Sequence, residues 1–108
     1  LNGKPLTINN DGEQRRDFTY VGDVVNANIL AATNPEDLKG EAFNIGNGDN
    51  YSVNELADML GGKKSYGNKV IEPFQTLADN SKAKNILNWN PTGDLPTWIE
   101  KYKKELGI

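Results

Sequence analysis

Four stretches of this chain carry apolar residues at helical spacing, and the segments between them hold only short β-like runs broken by Gly, Asn and Pro. That pattern predicts an α/β chain, or α+β as an isolated piece, with about four helices and a few short strands. Two or three such strands make a poor sheet alone, so some are expected to pair with strands outside this chain.

The first short run is Lys4 to Asn10, with Leu6 and Ile8 alternating. After the Asn9-Asn10-Asp11-Gly12 turn signal, Asp17-Phe18-Thr19-Tyr20-Val21 reads as a strand. Asp23 to about Ala32 reads as a helix, with Val24, Ala27 and Ala31 on one face and Val25 and Ile29 beside it. Asn34-Pro35 stops it. Gly40 to Ile45 reads as another strand, followed by the Gly46–Asn50 loop.

Ser52 and Glu55 have the spacing of a capping box, in which each side chain bonds the other's backbone N–H. The helix they open would bury Val53, Leu56, Ala57 and Leu60, and Gly61-Gly62 would end it. A short strand is expected near Ser65-Tyr66 within the irregular stretch from Lys63 to Pro73. The last helices are placed at Ser81 to Leu87 and Leu95 to Leu106. The final one carries a stripe of Leu95, Trp98, Ile99, Tyr102 and Leu106, closed by Gly107.

At 108 residues the chain is expected to be one domain or a piece of one, and its opening, Leu1 into Gly3-Lys4-Pro5, reads as that of a piece. It has no Cys and no His, which removes thiol nucleophiles, imidazole bases, disulfides and the common zinc sites. Its net charge of −3 argues against broad nucleic-acid binding, so any anion site must be local. No apolar run nears the roughly 18 residues of a membrane span. A cytoplasmic location is expected.

Gly46-x-Gly48 has the setting of a dinucleotide-binding turn, but Tyr51 stands where the third glycine belongs. It reads as a tight turn. Arg15-Arg16-Asp17 is the most suggestive charge group. An Arg fork there could bind phosphate oxygens bidentately, or the group could be a solvated pair with Asp17 as the partner. Lys69 and Glu72 read by themselves as loop charges, and Tyr51, Tyr66 and Trp89 as packing residues.

Three consecutive blocks carry a wider resemblance. They are Asn10-Asp11-Gly12-Glu13-Gln14-Arg15-Arg16-Asp17-Phe18-Thr19-Tyr20-Val21-Gly22-Asp23-Val24, then Phe43-Asn44-Ile45-Gly46 with Ser52-Val53-Asn54-Glu55-Leu56, and finally Ala78-Asp79-Asn80-Ser81-Lys82-Ala83-Lys84-Asn85-Ile86-Leu87-Asn88-Trp89-Asn90-Pro91. In this order and spacing they resemble the C-terminal, substrate-binding part of extended short-chain dehydrogenase/reductase enzymes, the NAD-dependent nucleotide-sugar epimerases and dehydratases. The likeness is nearest to UDP-glucose and UDP-N-acetylglucosamine 4-epimerases.

The resemblance implies that residues 1–108 are a sugar-nucleotide-binding fragment, with the NAD-binding Rossmann half upstream of residue 1. It implies that Arg16 reaches the diphosphate of a UDP- or dTDP-sugar and that Ser52 and Val53 wall the nucleoside. Lys69 and Glu72 would touch the diphosphate and the ribose hydroxyls; Lys69 stands where Arg is usual and lacks its bidentate fork. The catalytic Tyr-x-x-x-Lys pair is not in this sequence, so the fragment is expected to hold substrate for reversible hydride transfer at C4 without turning it over. NAD and a homodimer are expected of the longer protein. A 4,6-dehydratase, decarboxylase or keto-sugar reductase, or a non-catalytic binding or interaction module, would carry the same residues.

Overall fold

The structure, a computed structural model, describes residues 4–108. The reading at Leu1 to Gly3 lies outside the described residues. In chain order the elements are β1 (Leu6–Ile8), β2 (Arg15–Arg16), α1 (Val21–Thr33), β3 (Tyr51–Ser52), α2 (Val53–Leu60), β4 (Lys64–Tyr66), α3 (Ser81–Leu87) and α4 (Leu95–Leu106). Strands β1 and β4 pair in parallel, with Leu6 opposite Lys64 and Ile8 opposite Tyr66. Strands β2 and β3 pair antiparallel, with Arg15 opposite Ser52 and Arg16 opposite Tyr51.

Helices α2, α3 and α4 stand where the sequence puts them, while α1 starts at Val21, two residues before the expected Asp23. The Ser52 hydroxyl accepts from the Glu55 N–H, and the Glu55 carboxylate accepts in return from the Ser52 N–H, so the capping box of α2 is complete. Gly61 ends that helix at φ 82°, and its N–H returns to the Ala57 carbonyl. Asp94 caps α4, accepting from the Thr97 N–H and hydroxyl. Gly107 closes it at φ 74°.

Two expected strands are absent. Residues 17–20 form no ladder: β2 lies just upstream, and the Tyr20 carbonyl already accepts from Asp23 and Val24 to start α1. The Asp17 side chain draws this stretch onto loop amides instead of a neighbouring strand. Residues 40–45 also lie outside any strand, because no other strand runs beside them among the described residues. Side chains serve their neighbourhood instead. Lys82 Nζ donates to the Ala42 carbonyl, while Asn44 reaches across to the Asp79 carbonyl.

The principal core gathers Ala27, Ala83, Leu87 and Trp89, with Leu30, Ala31, Leu38, Phe43 and Ile45 packed against it. Trp89 is fully buried, and its indole N–H donates to the Asp23 carbonyl at 2.8 Å. A second contact zone sets α2 against α4 and β1, where Ala57, Ile99 and Ile8 are buried.

The apolar faces of α1 and α4 are covered less than their patterns suggest. Val25 and Ile29 are half exposed, and α1 turns Asp23 and Ala27 inward. On α4 only Ile99 is buried; Trp98 stacks on Tyr102 at 4.9 Å between ring centroids, both open to solvent. Tyr66, expected to pack, is exposed, with its hydroxyl donating to Asn54. The molecule is a slab of 51 × 33 × 16 Å. No helix among the described residues is long and apolar enough to cross a membrane.

Candidate functional site

Arg15 and Arg16 are neighbours in β2, so their side chains leave opposite faces of the ribbon. Arg15 is consumed by structure. Its Nε donates to Asn50 Oδ1 at 2.9 Å, one terminal nitrogen to Glu55 Oε1 at 2.7 Å, and the other to the Asn50 carbonyl at 3.0 Å. This clamps β2 to the start of α2. The Arg15 bond comes first among the causes that hold the Glu55 carboxyl below its ordinary pKa.

Arg16 is differently placed. One terminal nitrogen donates to the Arg15 carbonyl at 2.7 Å, and the other meets Glu72 Oε2 at 3.4 Å. That is long for a charged hydrogen bond, and both side chains keep about a quarter of their surface open. The other Glu72 oxygen accepts from Asn10 Nδ2 at 3.1 Å. Two residues that the sequence separates by 56 positions, Arg16 and Glu72, thus meet at one place, with Asn10 beside them.

Lys69 is exposed and lines a shallow depression with Asn10, Asp11, Tyr66 and Gly67, on the Asn10 side of that pair. Ser52 lies across the ribbon from Arg15, and Val53 follows it as the first residue of α2. Ser52 is buried and its hydroxyl is spent on the helix cap. The Val53 N–H is likewise spent on the Gln14 carbonyl.

The solvated Arg–Asp17 pair is not formed. The Asp17 carboxylate accepts instead from the N–H groups of Asn47 at 2.8 Å, Gly48 at 3.0 Å and Ala78 at 3.2 Å. Gly46 is required for this approach, since a Cβ there would strike Ala78 and crowd Asp17. The turn that resembles a dinucleotide cradle is therefore an anion seat filled by the chain's own carboxylate. The residues present do not fit the pyrophosphate of NAD, and no chemical step can be assigned to that cofactor here.

Asn10 is the member of the cluster that residue spacing did not reveal. Its signal was local, a turn-forming Asn, and the structure gives it the left-handed φ of 58° that Asn tolerates. Nothing in the sequence marks its partner 62 positions away.

The NAD dependent epimerase/dehydratase family matches residues 1–46. The chain is 40% identical over 102 residues to an uncharacterized UDP-glucose epimerase of Bacillus subtilis, covering 88% of this chain and 32% of that protein. It is 40% identical over 98 residues to the UDP-glucuronate 4-epimerase of Thermodesulfobacterium geofontis, covering 82% and 29%. Among solved structures, the UDP-glucuronic acid 4-epimerase of Bacillus cereus in complex with UDP-glucuronic acid and NAD matches with a TM-score of 0.83 and 35% identity, over 96% of this chain and 36% of that one.

The chain spans about a third of the length of the curated relatives it matches. The resemblance to nucleotide-sugar epimerases is borne out. So is the fold: four helices with small parallel and antiparallel sheets, matching the C-terminal portion of extended short-chain dehydrogenase/reductase epimerases.

Proposed function

We propose that this chain is the substrate-binding part of an NAD-dependent nucleoside-diphosphate-sugar 4-epimerase, and that Arg16 binds the diphosphate of a UDP-sugar. The observation that carries the reading is the contrast between two adjacent arginines. Arg15 places three nitrogens in short bonds to fixed partners. Arg16 spends one nitrogen on the Arg15 carbonyl at 2.7 Å, meets its one carboxylate at a long 3.4 Å, and its Nε makes no hydrogen bond among the described residues. A diphosphate brings more charge and a bidentate geometry, so it competes well for that fork.

In this reading Glu72 accepts from ribose hydroxyls once the phosphate has taken Arg16, Lys69 adds a second cation, and the Ser52–Val53 junction walls the nucleoside. The contribution is positioning: binding energy gathered far from the reacting carbon fixes where the hexose stands. The base, NAD and the hydride transfer at C4 belong to the part of the longer protein that this chain does not contain, as does the expected homodimer contact. The names of the relatives, UDP-glucose and UDP-glucuronate epimerases, favour UDP over dTDP.

Calorimetric titration of the chain with UDP, UDP-glucose and dTDP at low salt tests this, with Arg16→Ala as control. Millimolar or tighter binding of UDP is expected, weakened about 10- to 100-fold by the substitution, as suits loss of charge-assisted hydrogen bonds. Equal affinity of the two proteins for UDP would sink the assignment of Arg16.

A further inference from the structure

We infer that Asn10 is a positioning residue of this site, holding the segment that carries Lys69 and Glu72; the inference rests on the diphosphate reading of Arg16. The parallel pairing of β1 and β4 ends at Ile8 and Tyr66. Beyond it the Gly67 N–H reaches the Ile8 carbonyl at 2.6 Å, and the Asn10 N–H reaches the Asn68 carbonyl at 3.2 Å. The Asn10 side chain then takes over from the backbone. Its Oδ1 accepts from the Val70 N–H at 3.0 Å, and its Nδ2 donates to Glu72 Oε1 at 3.1 Å.

One residue thus grips positions 68, 70 and 72 of a stretch with no regular structure of its own. Lys69 lies between two of these anchors. Glu72 divides its carboxylate between Asn10 and Arg16. When a diphosphate occupies Arg16, the carboxylate loses its cation, and the Asn10 amide is what keeps one oxygen fixed while the other turns to the ligand. A neutral donor suits this role. A carboxylate at position 10 could still accept from Val70, but it would face Glu72 with like charge.

The test compares Asn10→Asp and Asn10→Gly with the parent chain. Glycine adopts φ 58° without strain, so that substitution removes the side-chain bonds and not the turn. UDP affinity is expected to fall about 5- to 10-fold in each, as loss of a hydrogen bond of ordinary strength implies. The decisive readout is a double-substitution cycle with Glu72→Gln, whose amide can donate to a carboxylate at position 10. Asn10→Asp should weaken UDP binding in the parent and leave it unchanged in the Glu72→Gln background; general structural damage would weaken both alike.

Hydrogen exchange without ligand checks the tether itself, with the Val70 amide expected to exchange at least tenfold faster in Asn10→Gly. An unchanged Val70 rate, or an Asn10→Asp chain that binds UDP like the parent while Arg16→Ala does not, would overturn the inference and leave the diphosphate site standing. Failure of Arg16→Ala to weaken UDP binding would instead overturn the reading beneath it.

Discussion

The Asp23 carboxylate lies in the first turn of α1, buried, accepting from the Thr92 N–H at 2.9 Å, the Thr92 hydroxyl at 2.7 Å and the Gly93 N–H at 2.8 Å. Burial pushes its pKa up, and the bonds from Gly93 and Thr92 outweigh burial, holding it below the ordinary 3.8. An amide in its place can keep one oxygen on the two N–H groups and donate to the Thr92 hydroxyl, but it turns charge-assisted bonds into neutral ones, so Asp23→Asn should cost about 1–2 kcal/mol in urea unfolding. The depressed pKa means the unfolded chain binds this proton first as pH falls. The stabilisation is full above 3.8 and drains as pH drops through the lower folded value. Glu55, held below its ordinary 4.5 by Arg15, begins its loss earlier. Stability measured against pH should therefore be level from roughly pH 5 to 7 and fall in more acid solution, with a shallower acid slope in Asp23→Asn.

Helix α2 is defined at both ends by single residues, and each end makes a measurable claim. Ser52→Ala removes the acceptor for the Glu55 N–H and should cost about 1 kcal/mol. Gly61→Ala forces a Cβ into φ 82° and should cost about the same. The two ends are roughly 13 Å apart, so the double variant should lose close to the sum by urea midpoint. An α2 that unfolds independently of the rest would show neither loss in a global probe.

The contrast between helices and strands explains what could be read from residues alone. A helix carries its hydrogen bonds within itself, so Ser52, Gly61 and Gly107 mark boundaries without reference to the rest of the chain. A strand needs a neighbour, and nothing in residues 40–45 says whether one is present. The site divides in the same way. Arg16 stood out as part of a recognisable block, and Glu72 through its place in the same resemblance. Asn10 acts through a contact 62 positions long, and Asp17 through backbone N–H groups, which every residue but proline has.

At the scale of the molecule, the radius of gyration is 16.9 Å, where a compact unit of this length would have about 13 Å. The surface is 7485 Å², against about 5,900 Å² for an ordinary folded protein of this mass. Part of the difference is the row of Val21, Val25 and Ile29 along α1, and Trp98 on α4. Such surface promotes association. Sedimentation velocity should show mass rising with concentration, and the double variant Val25→Lys, Ile29→Glu should suppress the rise while changing stability by less than about 0.5 kcal/mol. A monomer at every concentration would refute this.

A slab 16 Å thick also has little interior from which to expel water. The heat capacity gained when a chain unfolds comes mainly from newly wetted apolar surface, about 1.3–1.6 kcal/mol/K for an ordinary protein of this length. Here much of that surface is wet before unfolding begins. The curve of folding free energy against temperature should be a low, broad arch, so that chilling and mild warming alter the balance between folded and unfolded chains by nearly equal, small amounts.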